Sequence, residues 1–250
     1  MDDVVFRYLA RPELEQPVLI EGLPGVGNVG KLAVEHLIDQ LNAEKFSEIF
    51  SIHFPPQVLI LEGGTIRLVR NELFYTRTAQ GDIILLTGDY QGSSAEGQYI
   101  LSHALLKELS IYKLKRIYTL GGWSTGQIVE IPRVLGAATN PKLVKEMIAH
   151  GVAFSQGEPG GGIVGAAGLL LGLGDIQGIE GACLMGETSG YFVDPKSARA
   201  VLEVLARLLR MKISLAELEE KARHIEMLTS RLKEMENVEP PSKEDLDYFG

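Results

Sequence analysis

The chain has 250 residues, 45% of them hydrophobic, enough to bury one sizeable core with room for an appendage. Its formal net charge of -9, without any cluster of Lys and Arg, excludes nucleic acid and anionic membrane as partners, because affinity for phosphate-rich surfaces comes from grouped cations. The lone Cys183 excludes an internal disulfide and a cysteine-based zinc cage, which fits a reducing compartment.

The N-terminal segment MDDVVFRYLARPELEQ has neither a basic start before an apolar run nor a small-residue cleavage site, so no secretory signal is expected. IVGAAGLLLGLG, the longest apolar stretch, falls short of the ~20 residues that a membrane span requires. The expected location is the cytoplasm.

Short apolar runs then alternate with segments of helical period. PVLIEG, FSEIFSIHF, QVLILEG, ELFYTR, GDIILLTGD, LKRIYTLGG, PRVLGAAT and EGACLMGET read as strands, several apolar on both faces as in a covered sheet. KLAVEHLIDQL sets Val34, Leu37, Ile38 and Leu41 on one helical stripe, and SAEGQYILSHALLKEL does the same with Ile100, Leu101, Ala104 and Leu105. The expected fold is α/β, a sandwich with a mostly parallel sheet, with an antiparallel meander inserted from FSEIF to FYTR, where no helix intervenes.

After the last strand, Asp194 is placed to cap a helix that begins at Pro195 and continues through ARAVLEVLARLL. Ser214 and Glu217 form a capping-box pattern ahead of a second amphipathic helix, whose stripe is Leu218, Ile225, Leu228, Leu232 and Met235. That helix either packs on its own domain or protrudes onto another subunit; Leu218, Ile225, Leu228 and Leu232 are the residues expected at such an oligomer interface. The organisation expected is an α/β domain over residues 1–212, the amphipathic helix over 213–237, and a mobile tail over 238–250, which carries two prolines, several charges and no periodicity.

LIEGLPGVGNVGK imitates a phosphate-binding loop in more than one register. Aligned as GPPGTGKT, it places Asn28 where the phosphate-binding Lys belongs and Val29 where the magnesium-binding hydroxyl belongs. Shifted by three, Gly25, Gly30 and Lys31 satisfy GxxxxGK, but Leu32 replaces the Ser or Thr. Gly25, Gly27 and Gly30 also satisfy GxGxxG, but GLP separates the strand from the first glycine, and Glu44 and Glu48 precede or begin the next strand instead of ending it as a ribose ligand would. Every register lacks a group its ligand needs, so the glycines are expected to shape a tight strand-to-helix turn. The alternative is a nucleotide-binding, ATP-grasp or ligase-like enzyme that uses the Gly22 to Lys31 loop.

GWSTG satisfies GxSxG around Ser124, but the following QIVEIPRV reads as extended, whereas a nucleophile elbow leads directly into a helix. His36, His53, His103, His150 and His224 are isolated, so no metal site and no catalytic residue are assigned. In GEPGGGIVGAAGLLLGLG, Gly165, Gly168 and Gly172 share a helical face suited to close packing against the sheet or another subunit, with an anion site at the helix start as the alternative.

The succession GLPGVGNVGKLAVEHLI, GGWSTG, GEPGGGIVGAAGLLLGL and GETSGYFVDPKSARAVLEVLARLL resembles, in order, the blocks of the proteasome assembly chaperone family in its archaeal branch, over about residues 10 to 210. The resemblance implies a three-layer sandwich related to nucleoside phosphorylase-like folds, homo-oligomerisation, no cofactor, and no established catalytic residue. It also implies a 20S proteasome α-ring as partner. Activators of this type insert tails ending in a hydrophobic residue, a tyrosine and any final residue into pockets between α-ring subunits. On that pattern Tyr248 is the hydrophobic member, Phe249 stands in the tyrosine position, and Gly250 supplies the terminal carboxylate. Phe249 lacks the phenolic hydroxyl, a loss worth about 1 kcal/mol if one hydrogen bond depends on it.

Overall fold

The computed structural model describes residues 2–154 and 162–236, without the side chains of 226 and 228–236. In chain order the strands and helices are β1 (Val4–Tyr8), β2 (Val18–Glu21), α1 (Val29–Gln40), β3 (Glu44–Ser51), β4 (Val58–Ile60), β5 (Ile66–Leu68), β6 (Asn71–Thr78), β7 (Gly81–Gly88), α2 (Ala95–Leu109), β8 (Arg116–Ser124), β9 (Val134–Ala138), α3 (Pro141–Ala149), α4 (Ala166–Ile176), β10 (Gly181–Thr188), α5 (Pro195–Leu209) and α6 (Ala216–Glu236). Eight strands form one sheet in the order β1-β3-β6-β7-β2-β8-β10-β9. Its central block, β7, β2, β8 and β10, is parallel. The meander β3, β6 and β7 is antiparallel, with β1 added at one edge and β9 antiparallel at the other.

The strands of the parallel block are apolar on both faces because helices cover both. Ile20, Ile83, Leu85, Tyr118, Leu120, Ala182 and Leu184 face a layer built from α1, α3, α5 and the start of α6. Leu19, Ile84, Leu86, Ile117 and Cys183 face α2 and α4. The alternation of successive residues between two hydrophobic clusters is the period-two geometry of a strand with two dry faces. The result is the expected three-layer α/β sandwich.

Several details differ from the sequence pattern. VVFRY, within the N-terminal segment, forms the edge strand β1, held by Arg7 to Glu48 of β3. QVLILEG does not join the main sheet: β4 pairs only with β5, as a separate two-stranded hairpin. The helix α3 is capped by Asn140, whose side chain accepts from the Leu143 amide at 2.9 Å, with Pro141 in its first turn. At α6, Ser214 Oγ accepts from the Ala216 amide at 3.5 Å, while Glu217 turns to Lys221 and towards His36, so the reciprocal capping box is not formed.

Leu218 and Ala222 of α6 are buried, and α6 packs along α5. Leu218 therefore belongs to the core of its own domain and not to a subunit boundary, a correction that follows from its 1% exposure. Ile225 is half-buried. The side chains of Leu228 and Leu232 lie outside the described residues, as does the tail with Tyr248, Phe249 and Gly250.

Asp194 caps α5 as its spacing suggests. Its carboxylate accepts from the Ser197 amide at 2.9 Å, and its own amide donates to the Gly27 carbonyl, which ties α5 to the glycine loop. Replacing Asp194 with Ala should cost about 1 kcal/mol of unfolding free energy, measured by urea denaturation.

Candidate functional site

The carboxyl ends of the parallel strands gather five segments: the glycine loop after β2, the loop after β7, the end of β8, the approach to α4, and the loop after β10. Ligands of open α/β sheets collect at such ends, so the chemistry of these segments decides what the chain can do.

The glycine loop is filled by its own backbone. A Cβ on Gly22 would stand 2.1 Å from the Gly30 carbonyl oxygen, and one on Gly30 would stand 2.1 Å from the Leu120 carbonyl oxygen of β8. The first turn of α1 thus lies directly on the sheet. Gly27 takes φ 62°, a left-handed conformation that glycine adopts at little cost. Asn28 follows in the same region and makes no side-chain cap to α1. Lys31 is engaged by groups of its own chain: its ammonium donates to the Gly88 carbonyl at 2.7 Å and pairs with Glu35 at 3.3 Å. With that cation engaged at the end of β7 and Leu32 in place of a hydroxyl, the loop offers neither group a nucleotide triphosphate needs, and the enzyme alternative has no support here.

Gln91 joins three of the segments. Its amide nitrogen donates to the Pro24 carbonyl at 2.7 Å, and its amide oxygen accepts from the Ala166 amide at 3.0 Å, at the start of α4. The anion-binding end of α4 is therefore partly occupied by a side chain of the same protein. Of the three glycines expected on one packed face of α4, Gly165 has φ 87° and lies against Gln91, and Gly168 makes room for the Ile163 carbonyl. Gly172 has nothing within 4 Å of a Cβ position. The helix packs on the sheet through Leu170, Leu171 and Gly174 instead.

Ser124 ends β8, and its hydroxyl donates to the Ser189 carbonyl at 3.2 Å. No helix follows it directly; the next one begins at Pro141. The elbow geometry and its imidazole partner are both missing from this serine. Among the described residues no group of three or more His, Cys, Asp or Glu side chains is arranged to hold a metal ion. His36, the one buried histidine, makes a 2.6 Å hydrogen bond to the Ser214 carbonyl and so anchors the start of α6.

One buried acid escaped the sequence reading. Glu21, the last residue of β2, is 1% exposed. One carboxyl oxygen accepts from the Leu23 amide at 3.0 Å, and the other has no partner. Across the sheet it stands in register with Thr119 of β8, which in turn is in register with Cys183 of β10. Burial raises the Glu21 carboxyl to about 8, the Leu23 amide opposing only in part, and burial pushes the Cys183 thiol up to about 12. The acid is held neutral and the thiol unreactive at neutral pH. The signal for Glu21 was a single charged residue closing an otherwise apolar strand; nothing in GDYQGSS marked Gln91.

The raised value of Glu21 sets a sign for stability. Unfolded, the carboxyl loses its proton near its ordinary 4.5, whereas folded it keeps the proton to about 8. Between those values the folded state binds more protons, so stability falls as pH rises, by at most about 1.4 kcal/mol per pH unit. Urea unfolding from pH 5 to 8 should show this decline, and Glu21→Gln should flatten it.

Comparison with known proteins accords with this arrangement. The model of the PAC2 family matches residues 19–233, from β2 into α6. An uncharacterized protein of Methanocaldococcus jannaschii is 43% identical over 244 residues, which span 95% of this chain and 93% of that protein. Among solved structures, Pyrococcus furiosus PbaB, an archaeal proteasome activator, superposes with a TM-score of 0.89 at 37% identity, over 93% of this chain and 100% of PbaB. Pyrococcus furiosus PbaA, an archaeal homologue of proteasome-assembly chaperone, superposes with a TM-score of 0.78 at 28% identity, over 94% of this chain and 93% of PbaA in its monoclinic form. With the family model covering most of its length, this chain belongs to the PAC2 family.

Proposed function

We propose that this chain works without catalysis, as a homo-oligomeric proteasome assembly chaperone or activator whose C-terminal tails dock on the 20S proteasome α-ring. The observation that carries this reading is the similarity to the activator PbaB, at 37% identity over all of that chain. The packed glycine loop supports it, because the one place where the sequence resembles a nucleotide site is closed by Gly22, Gly30 and Leu120. No helix among the described residues is long and apolar enough to cross a membrane.

The docking elements in this reading are Tyr248, Phe249 and Gly250. Tyr248 and Phe249 supply rings for apolar pockets, and the carboxylate of Gly250 supplies an anion for a lysine of the α-ring. One short tail buries little surface. Several tails on one rigid assembly raise each other's effective concentration, so the avidity exceeds that of a single tail by roughly 10²–10⁴. In this scheme Ile225, Leu228 and Leu232 continue the stripe of α6 beyond the buried Leu218 and join subunits near the origin of the tails.

A pull-down with 20S particles tests the reading. Removal of Tyr248, Phe249 and Gly250 should abolish α-ring binding while the mass of the assembly in light scattering stays unchanged. Retention of binding by the truncated protein would refute the role of the tail.

A further inference from the structure

The hairpin of β4 and β5 has its surface inverted. In a two-stranded ribbon one face normally meets the protein and is apolar, and the other meets water and is polar. Here Leu59 and Arg67, directly opposite each other, form the half-buried face. Arg67 reaches Asp89 through two hydrogen bonds and fastens the ribbon to the loop after β7; the Arg70 amide adds a third contact to the same carboxylate, at 2.9 Å. The outward face carries the cross-strand pairs Val58 with Leu68 and Ile60 with Ile66. Ile60 is 79% exposed and Ile66 66%. Leu61 beside the tip is exposed as well, and Gly63 and Gly64, both at φ 80°, make the turn.

We infer that this face is a self-association surface, covered by a second copy of the same chain; the inference rests on the homo-oligomeric part of the function proposed above. Three considerations select a second copy. The first is charge. A chain of net charge -9 repels its own copies, so they can meet closely only where charge is low. The hairpin meets that condition: Glu62 lies at its tip, and Arg67, its one cation, is neutralised by Asp89 on the inner side. The second is area. Val58, Ile60, Leu61, Ile66 and Leu68 together expose a patch on the order of 500 Å², at the upper end of what a monomer carries. Covered by the same patch of a second copy, it buries about 1,000 Å² in total, the least that a specific interface needs. The third is permanence. A two-stranded ribbon is marginal without packing on an apolar face, and an uncovered one with free edges pairs with unintended strands. A partner synthesised with the chain itself covers it at all times, and permanent homomeric interfaces are the apolar, charge-depleted kind.

The test uses the full chain with Ile60→Glu and Ile66→Glu together. Both side chains are exposed, so the fold should survive, and circular dichroism with an unchanged urea midpoint checks that it does. Sedimentation equilibrium should show the unmodified chain as an assembly and the double variant with its association weakened at least a hundredfold. A variant that keeps the parent mass overturns the inference. So does dissociation produced only by Ile225→Glu with Leu228→Glu in α6 and not by the hairpin changes. If the hairpin variant stays assembled yet still binds 20S particles through its tails, the inference fails while the proposed function stands. A parent chain that is monomeric at every concentration sinks the inference together with the homo-oligomeric part of that function.

Discussion

The structure depends on one close approach, the backbone of α1 laid against the backbone of β8. Gly30 removes the side chain that would hold them apart, the Leu120 carbonyl occupying the space that a Cβ there would need, and Gly22 lets the segment after β2 lie as closely on the same turn of α1. From this contact the other loops at the carboxyl end take their places. Gly122 continues the contact, since a Cβ there would meet the Val26 carbonyl oxygen at 2.3 Å. The Asp194 amide reaches Gly27, and Gln91 spans from Pro24 to the start of α4. A loop that resembles a ligand cradle in sequence is a closed joint in space. Its glycines are there for distance between main chains, and the neutral Glu21 beneath it holds the turn through the Leu23 amide.

At the amino ends of the parallel strands lies a cleft lined by Gln16, Asp82, Lys115, Arg116 and Arg210 together with the apolar Val18, Ile83, Leu208 and Leu209. At the carboxyl end the exposed side chains include Val26, Ile128, Ile131, Tyr191, Phe192 and Val193, together with the hairpin. A fold that often presents catalytic groups at this end presents apolar ones here. The solved structures that the chain resembles include an archaeal proteasome activator, at 37% identity.

Much of the fold was legible because its strongest signals are local. Strands covered on both faces appear as continuous apolar runs, and Asp194 with Pro195 marks a helix start through groups only a few residues apart. The helix α3 carries the same kind of mark in Asn140 and Pro141 and could have been read the same way. The edge strand β1 was harder, because VVFRY becomes a strand only through pairing with β3, 39 to 47 residues away. The ribbon of β4 and β5 was misleading for a related reason. QVLILEG has the composition of a sheet strand, and no local feature says that its apolar face will point outward.

The sequence by itself determined the α/β class, most of the strands and helices of the core, the acidic composition without cationic clusters, and the adjacent aromatic residues Tyr248 and Phe249. All of these follow from composition, period and short-range capping. Only the tertiary structure decided what the charged and glycine residues do. Lys31 lies on the Gly88 carbonyl, Arg67 on Asp89, Leu218 inside its own domain, and Glu21 neutral in the core. The physical reason is that a polar group's role depends on which partner it meets and how much water it loses, and both are set by residues distant in sequence that the fold brings together.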